Sequence, residues 1–350
     1  MRSSFVTGWL SLLVFVASSQ GAELKKFRTD ADGPINVVVK IPGAPPSKTG
    51  EDLLKWYQVE EGVFPPEGSA HAISGELMWV DHLERRFHLR VDRNDSQDRG
   101  VWDLPVDALM LPYGSIYYQG SPAALQDIPL GTHLHGLFYE RPAADKTQPP
   151  EANNNRKTPE FAFGRCFRLE DDFTYRARQG RLWKIESVDL AAKKLTATLE
   201  ENGKPLDDKA AGKPQLFDLT SATVVYDGQG FADQAALKPG QKVLLNLTWV
   251  TLYGPGRITD IWIDAKARDL ATARQLEKHR NHVRERGLAG WVDEVDDAQQ
   301  IVTITFFGGV DPALFDELVG IPLDSLLVNG VAPFDKVKDA RGALAVRARA

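Results

Sequence analysis

Apolar and polar residues alternate in short runs along most of this chain, and three stretches repeat one pattern. They are "GELMWVDHLERRFHLRV" from Gly75, "RLWKIESVDLAAKKLTATL" from Arg181 and "GWVDEVDDAQQIVTITF" from Gly290. In each, an apolar residue is followed three positions later by Val-Asp, then by a polar stretch, then by a second alternating run. Period-two alternation is the mark of half-buried strands, so each stretch predicts a strand, a turn and a strand. The anchors are Val80-Asp81, Val188-Asp189 and Val295-Asp296, spaced 108 and 107 residues apart. Spacings that agree this closely indicate an internal repeat.

Downstream segments extend the repeat. "LPVDALM" at 104–110 corresponds to "IPLDSLL" at 321–327, and "DLTSATVVY" at 218–226 holds that place in the middle unit. Gly-containing turns then lead into "GTHLHGLFY", "GQKVLLNLTW" and a weaker "GALAVRARA". The expectation is a mostly β protein of three tandem small antiparallel barrels or sandwiches, five strands each. Two segments have a different character: 269–287 is rich in helix formers and stops at Gly287, and 167–180 sits at a similar offset. Both are expected to be short α-helical connectors. Residues 141–159, polar and rich in Pro and Asn, read as a linker, and "IPGAPPSKTG" at 41–50 is a similar break.

The predicted organisation is therefore a leader at 1–22, an N-terminal extension at 23–69, a first barrel at 70–140 and a linker at 141–165. A helix with the second barrel follows at 166–265, a helical connector at 266–286 and a third barrel at 287–350.

With those residues in place, the order of apolar, Val-Asp, polar turn, alternating run and φ-x-x-G-x-x-φ resembles the small OB-like β-barrel domains of unknown function found in exported bacterial proteins. In the first unit it is carried by Leu77, Val80, Asp81, Ile128, Gly131 and Leu134. In the second it is carried by Ile185, Val188, Asp189, Leu237, Gly240 and Val243. The resemblance implies architecture and a tendency to bind oligomeric ligands across the barrel. It brings no catalytic residue with it. The second unit carries Trp183 near the place where the others have Gly75 and Gly290, and the third has a degenerate last strand.

Composition sets the address. One Arg, an apolar run from Phe5 to Ala17, and small residues Ser19 and Gly21 have the layout of a secretory signal peptide. The run is shorter than the roughly 20 residues a membrane-spanning helix needs, and no second one follows, so no transmembrane segment is expected in the mature chain. Cys166 is the single cysteine, so an internal disulfide is excluded and the fold must rest on its apolar cores. The net charge of −6 argues against a nucleic-acid partner.

Candidate chemistry is sparse. His133 and His135 share one face of a strand whose other face, Leu134, Gly136 and Phe138, is the more apolar. The apolar face is assigned to the core, so the two histidines are expected to point into solvent. The competing reading is a metal site completed by His71, His82 or His88. Asp81, Asp189 and Asp296 stand where an Asp side chain stabilises a turn. Glu170, Asp171 and Asp172 read as a solvated acidic helix face, and Cys166, among Phe161, Phe163 and Phe167, as a buried thiol. Among the aromatics, Trp102, Tyr117 and Tyr118 are the candidates for ligand stacking, and the loops 93–100, 200–214 and 308–320 vary most between units.

The functional expectation is an exported, periplasmic or extracellular, non-enzymatic binding or scaffold protein of the bacterial envelope. It would recognise a polysaccharide or protein partner through barrel surfaces and variable loops, without a cofactor. The alternative is a metal-dependent hydrolase centred on His133 and His135. Three units that repeat architecture but no polar constellation favour the first.

Overall fold

A computed structural model describes residues 57–60, 62–66, 69–92, 105–140, 163–206, 212–248, 256–296, 298, 301–317, 326–329 and 343–348. The protein is mostly β, with two closed five-stranded barrels. The first is built from β1 (His71–Asp81), β2 (Arg86–Val91), β3 (Val106–Tyr118), β5 (His133–Glu140) and β6 (Phe163–Asp171), with the short β4 (Ser121–Pro122) folding back on β3. Its hydrogen-bonded order runs β2-β1-β5-β6-β3 and closes through β2–β3, with β3 and β6 parallel. A seven-residue helix α1 (Asp172–Arg178) follows.

The second barrel repeats this order. It uses β7 (Arg181–Asp189), β8 (Lys194–Glu201), β10 (Gln215–Asp218), β13 (Lys242–Thr248) and β14 (Arg257–Trp262), closed by the parallel contact of β10 with β14. Hairpins β9 (Lys204–Pro205) and β11 (Val224–Asp227) with β12 (Gly230–Ala232) extend it. The 22-residue helix α2 (Ala265–Arg286) comes next.

The repeat seen in the sequence is a repeat of backbone detail. The first hairpin of each barrel carries a bulge at the same place, between Leu77 and Trp79 and between Ile185 and Ser187, so that Val80 and Val188 return toward the core after the ladder slips by one residue. Asp81 Oδ1 then accepts the Leu83 and Glu84 N–H groups, and Asp189 Oδ1 accepts the Ala192 N–H. Gly131 (φ +88) and Gly240 (φ +86) both sit in the left-handed region, which glycine enters without steric penalty. Each donates its N–H at 2.7 Å to the carbonyl of the corresponding strand residue, Leu77 or Ile185.

Two sequence expectations change. Residues 167–180 were expected to form a helix belonging to the second barrel. Instead the chain stays extended to Asp171 and supplies the closing strand of the first barrel, and only Asp172–Arg178 is helical. The charged outer row of that strand, Arg168 and Glu170, gives it the composition of a surface helix, while Cys166 and Leu169 fill the barrel. The second change concerns the C-terminal unit. It begins like the others, with β15 (Leu288–Asp296) bulged against β16 (Ile301–Phe306) between Val292 and Glu294. Its remaining strands, β17 (Leu326–Asn329) and β18 (Ala343–Ala348), complete a four-stranded sheet in the order β16-β15-β18-β17, with the single turn α3 (Ala313–Asp316) beside it. Among the described residues this sheet does not close into a barrel, because β17 pairs with β18 and not with β16.

Helix α2 holds the parts together. Ala267, Ala271, Gln275, His279 and Val283, one every four residues, form its buried stripe. The two alanines pack on Phe173, Leu244 and Trp262. Gln275 donates to Asp127 Oδ2 of the first barrel, and His279 Nε2 accepts the Asp311 N–H beside the third sheet. Trp291 and Phe307 of the third unit pack with Tyr113, Tyr139 and Phe167 of the first barrel. Among the described residues no helix is long and apolar enough to cross a membrane.

Candidate functional site

The outward face of β5 is covered, and this reverses the expectation for its histidines. His133 is 4 % exposed and is held at both nitrogens: Nδ1 lies 2.9 Å from Asp172 Oδ1, and Nε2 lies 2.7 Å from Asp92 Oδ2. His135 Nε2 lies 2.9 Å from the same Asp172 oxygen, and its ring stacks on Tyr175 at 3.7 Å. The acidic run expected to be solvated is buried as well: Glu170, Asp171 and Asp172 are all 2 % exposed or less. Helix α1 folds over β5 directly after the closing strand, so its first turn delivers Asp172 onto the two histidines.

Electrostatics follow from that placement. Burial alone would favour a neutral His133, but the Asp172 and Asp92 carboxylates on either side hold its pKa well above the ordinary value, so the ring is an imidazolium donating at both nitrogens. Burial lowers His135, which keeps its ring neutral. The Asp172 carboxyl would be raised by burial, but the His133 charge and the two imidazole hydrogen bonds hold it far below the usual carboxylate range. Among the described residues no cation pairs with Asp171. Burial pushes it up to about 6, partly offset by hydrogen bonds from the Thr174 and Gln119 N–H groups and from Asn246 Nδ2.

The cluster is also the seam between the barrels. Asp172 Oδ2 accepts the Leu247 N–H, Asn246 Oδ1 accepts the Phe173 N–H, and Thr248 Oγ1 donates to Glu76 Oε1 at 3.1 Å. Glu76 in turn pairs with Arg90, and Glu170 accepts from both Arg168 and Arg178. Burying this many charges is tolerable only because each finds its partner.

A second feature, exposed at Trp79 and buried at Asp107, lies on the outer side of β1–β3. Trp79, His88 and Asp107 occupy one cross-strand row. The Trp79 indole, 41 % exposed, lies against the His88 ring at 4.6 Å, and Arg86 Nε bonds Asp107 Oδ1 at 2.5 Å. Met78, 40 % exposed, adjoins it in the bulge. The corresponding row of the second barrel is Ser187, Thr196 and Leu216, and in the third unit Glu294 faces Thr303. The aromatic pair is therefore peculiar to the first barrel.

The residues singled out from sequence are scattered by comparison. Tyr118 is buried in the first barrel's core, where desolvation raises its phenol pKa. Tyr117 is half-buried, with the Arg168 guanidinium 4.7 Å above its ring. Trp102 and the loop 93–100 lie outside the described residues. Cys166 is fully buried, and burial pushes its thiol pKa up. Of the histidines considered as third metal ligands, His88 sits instead against Trp79, and the carboxylate that meets His133 and His135 is Asp172. Sequence reasoning missed Trp79, although laying the three units over one another places Trp79 and His88 where the others have hydroxyl or acidic residues.

Comparison of the chain with protein-family models, with curated proteins and with solved structures gives no significant match. Function is therefore read from geometry.

Proposed function

We propose that this is an exported, non-enzymatic binding protein of the bacterial envelope, whose recognition surface is the outer face of β1–β3 in the first barrel and whose ligand is an envelope polysaccharide. The observation that carries the reading is the Trp79–His88–Asp107 row, an aromatic platform flanked by Arg86 and found in one of three repeated units. A half-exposed indole offers a flat apolar surface for the C–H face of a sugar ring. Arg86 and His88 beside it, both oriented by the buried Asp107, supply donors for hydroxyls. The strand order supports assigning both barrels to the OB-like class, which uses this part of its surface for oligosaccharides and oligonucleotides. The acidic net charge favours the saccharide. Export rests on the leader pattern at residues 1–22.

A hydrolase centred on His133 and His135 fits less well, since a substrate would have to reach nitrogens sealed beneath α1. The test is co-sedimentation of the chain with insoluble envelope polysaccharide stripped of protein. Wild-type chain is expected in the pellet, and Trp79→Ala is expected in the supernatant with its folding unchanged. Equal retention of both would remove this face from the reading. Retention only by protein-containing fractions would point to a protein partner.

A further inference from the structure

The geometry points to a divalent-cation site formed by His133, His135 and Asp172: we propose that it takes a first-row transition ion of the zinc class and fastens α1 to β5 at the seam between the barrels. The site is separate from the Trp79 face, and neither reading depends on the other. One ligand atom from each of His133, His135 and Asp172 lies within 4.8 Å of the other two. Each nitrogen is 2.9 Å from the oxygen. An ion bonded at about 2.1 Å to tetrahedral ligands separates them by about 3.4 Å, so each imidazole moves outward from the Asp172 oxygen by about 0.5 Å as the ion enters.

Two histidines a pair of residues apart share one strand face, and they meet at one point because His133 presents Nδ1 and His135 presents Nε2. Their supports are already in place. The second nitrogen of His133 is held by Asp92 Oδ2, itself fixed by Ser74 Oγ at 2.7 Å; a carboxylate behind a ligating imidazole orients the ring and raises its basicity. Tyr175 stacks on His135, and the Leu247 N–H occupies the other Asp172 oxygen, turning Oδ1 toward the histidines. Two imidazoles and one carboxylate suit zinc and its neighbours and not calcium or magnesium, which take oxygen ligands. Entry of the ion releases the His133 Nδ1 proton to solvent and leaves His135 as the tautomer protonated at Nδ1, so that His133 Nδ1 and His135 Nε2 both present lone pairs. Three protein ligands with a water in the fourth place is the set catalytic zinc uses, but His133 and Asp172 are buried beneath α1, which keeps substrate out and leaves the ion to fasten structure.

The full-length chain, stripped with chelator and dialysed, is titrated separately with zinc chloride and cobalt chloride. The expected result is one equivalent of zinc per chain, a Tm rise of at least about 3 °C that chelator reverses, and visible cobalt bands of an imidazole-ligated ion. His135→Gln, which keeps a donor toward Asp172, is expected to lose the bands and bind zinc at least about 100-fold more weakly. Asp92→Asn leaves all three ligands and is expected to bind about 10–100-fold more weakly. Absence of zinc binding by the wild-type chain at about 100 µM, or equal binding by wild type and His135→Gln, overturns the proposal. Should His135→Gln fail to fold, wild-type affinity in Asp92→Asn overturns it equally.

Discussion

The two barrels solve one construction problem with opposite chemistry. Each has a fourth strand whose outer face must be covered: α1 lies over that of the first barrel, and α1 and α2 together over that of the second. Over the first barrel the contact is ionic: His133 and His135 of β5 meet Asp172 of α1. Over the second it is apolar: Leu244 of β13 and Trp262 of β14 meet Ala267 and Ala271 of α2, joined by Phe173 of α1. In the repeat, His135 and Leu244 hold the same position. The apolar version is the safer one energetically, because removing charges from water costs several kcal/mol per ion before any attraction is counted. Retention of the ionic version at one barrel alone is what marks it as a candidate site.

The largest expected effect tests that contrast directly. Asp172→Asn leaves the buried His133 imidazolium with Asp92 as its one remaining carboxylate and should lower stability by about 3–5 kcal/mol, read from the midpoint of denaturant unfolding at constant m. Leu244→Ala, at the apolar cap, should cost about 2–5 kcal/mol through lost burial and a cavity. If the first substitution costs less than about 1 kcal/mol, the ionic cap is not a fastening, and the difference between the barrels is ornamental.

His135→Leu copies the second barrel's solution into the first. Asp172 keeps His133 and the Leu247 N–H but loses one donor, and the leucine has Tyr175 to pack against. A buried charged acceptor short of one hydrogen bond should cost about 1–3 kcal/mol. A stabilised variant in thermal melts would show that the polar cap is kept at the expense of stability.

A third pair of substitutions sharpens the likeness of the barrels. Asp81→Ala and Asp189→Ala each remove the turn acceptor that follows a bulge, and each should lower stability by about 0.5–1.5 kcal/mol, by similar amounts. Costs differing by more than about 1 kcal/mol would mean that the two turns are not equivalent, despite the matched positive φ of Arg85 and Lys193.

These aspartates also show what was legible in the sequence. Val80-Asp81 and Val188-Asp189 could be read because a strand end, a bulge and a turn are local: period, anchor and turn chemistry all lie within a dozen residues. The glycines at 131 and 240 were legible for the same reason. The closing strand β6 was not, because its partners β3 and β5 lie across a linker and its outer face is charged like that of a helix. Misplacing that strand also hid the seam. With 167–180 read as an exposed helix, Glu170, Asp171 and Asp172 had no reason to be buried, and the histidines of β5 had nothing above them. The composition of β5 pointed to the right core face; what covers its other face is a tertiary fact, set by where the chain goes after Asp171.

The smallest effect on stability belongs to Trp79, and it separates scaffold from function most cleanly. Trp79→Ser writes the second barrel's residue, Ser187, into the first at the same bulge. The indole is 41 % exposed, and the barrel core beneath it, with Leu77, Phe87 and Leu89, is complete without it. Stability should therefore change by no more than about 0.5 kcal/mol. Polysaccharide retention should fall to the level of a chain that binds nothing, because a serine hydroxyl offers no face for stacking. The reciprocal change, Ser187→Trp with Thr196→His, should leave the second barrel folded but place its aromatic pair beside Leu216 and away from the Arg86–Asp107 bond. If that double variant gains retention, stacking alone suffices and the charged flank is incidental. If it gains none, recognition in the first barrel depends on the whole row, the ring together with the charges that border it.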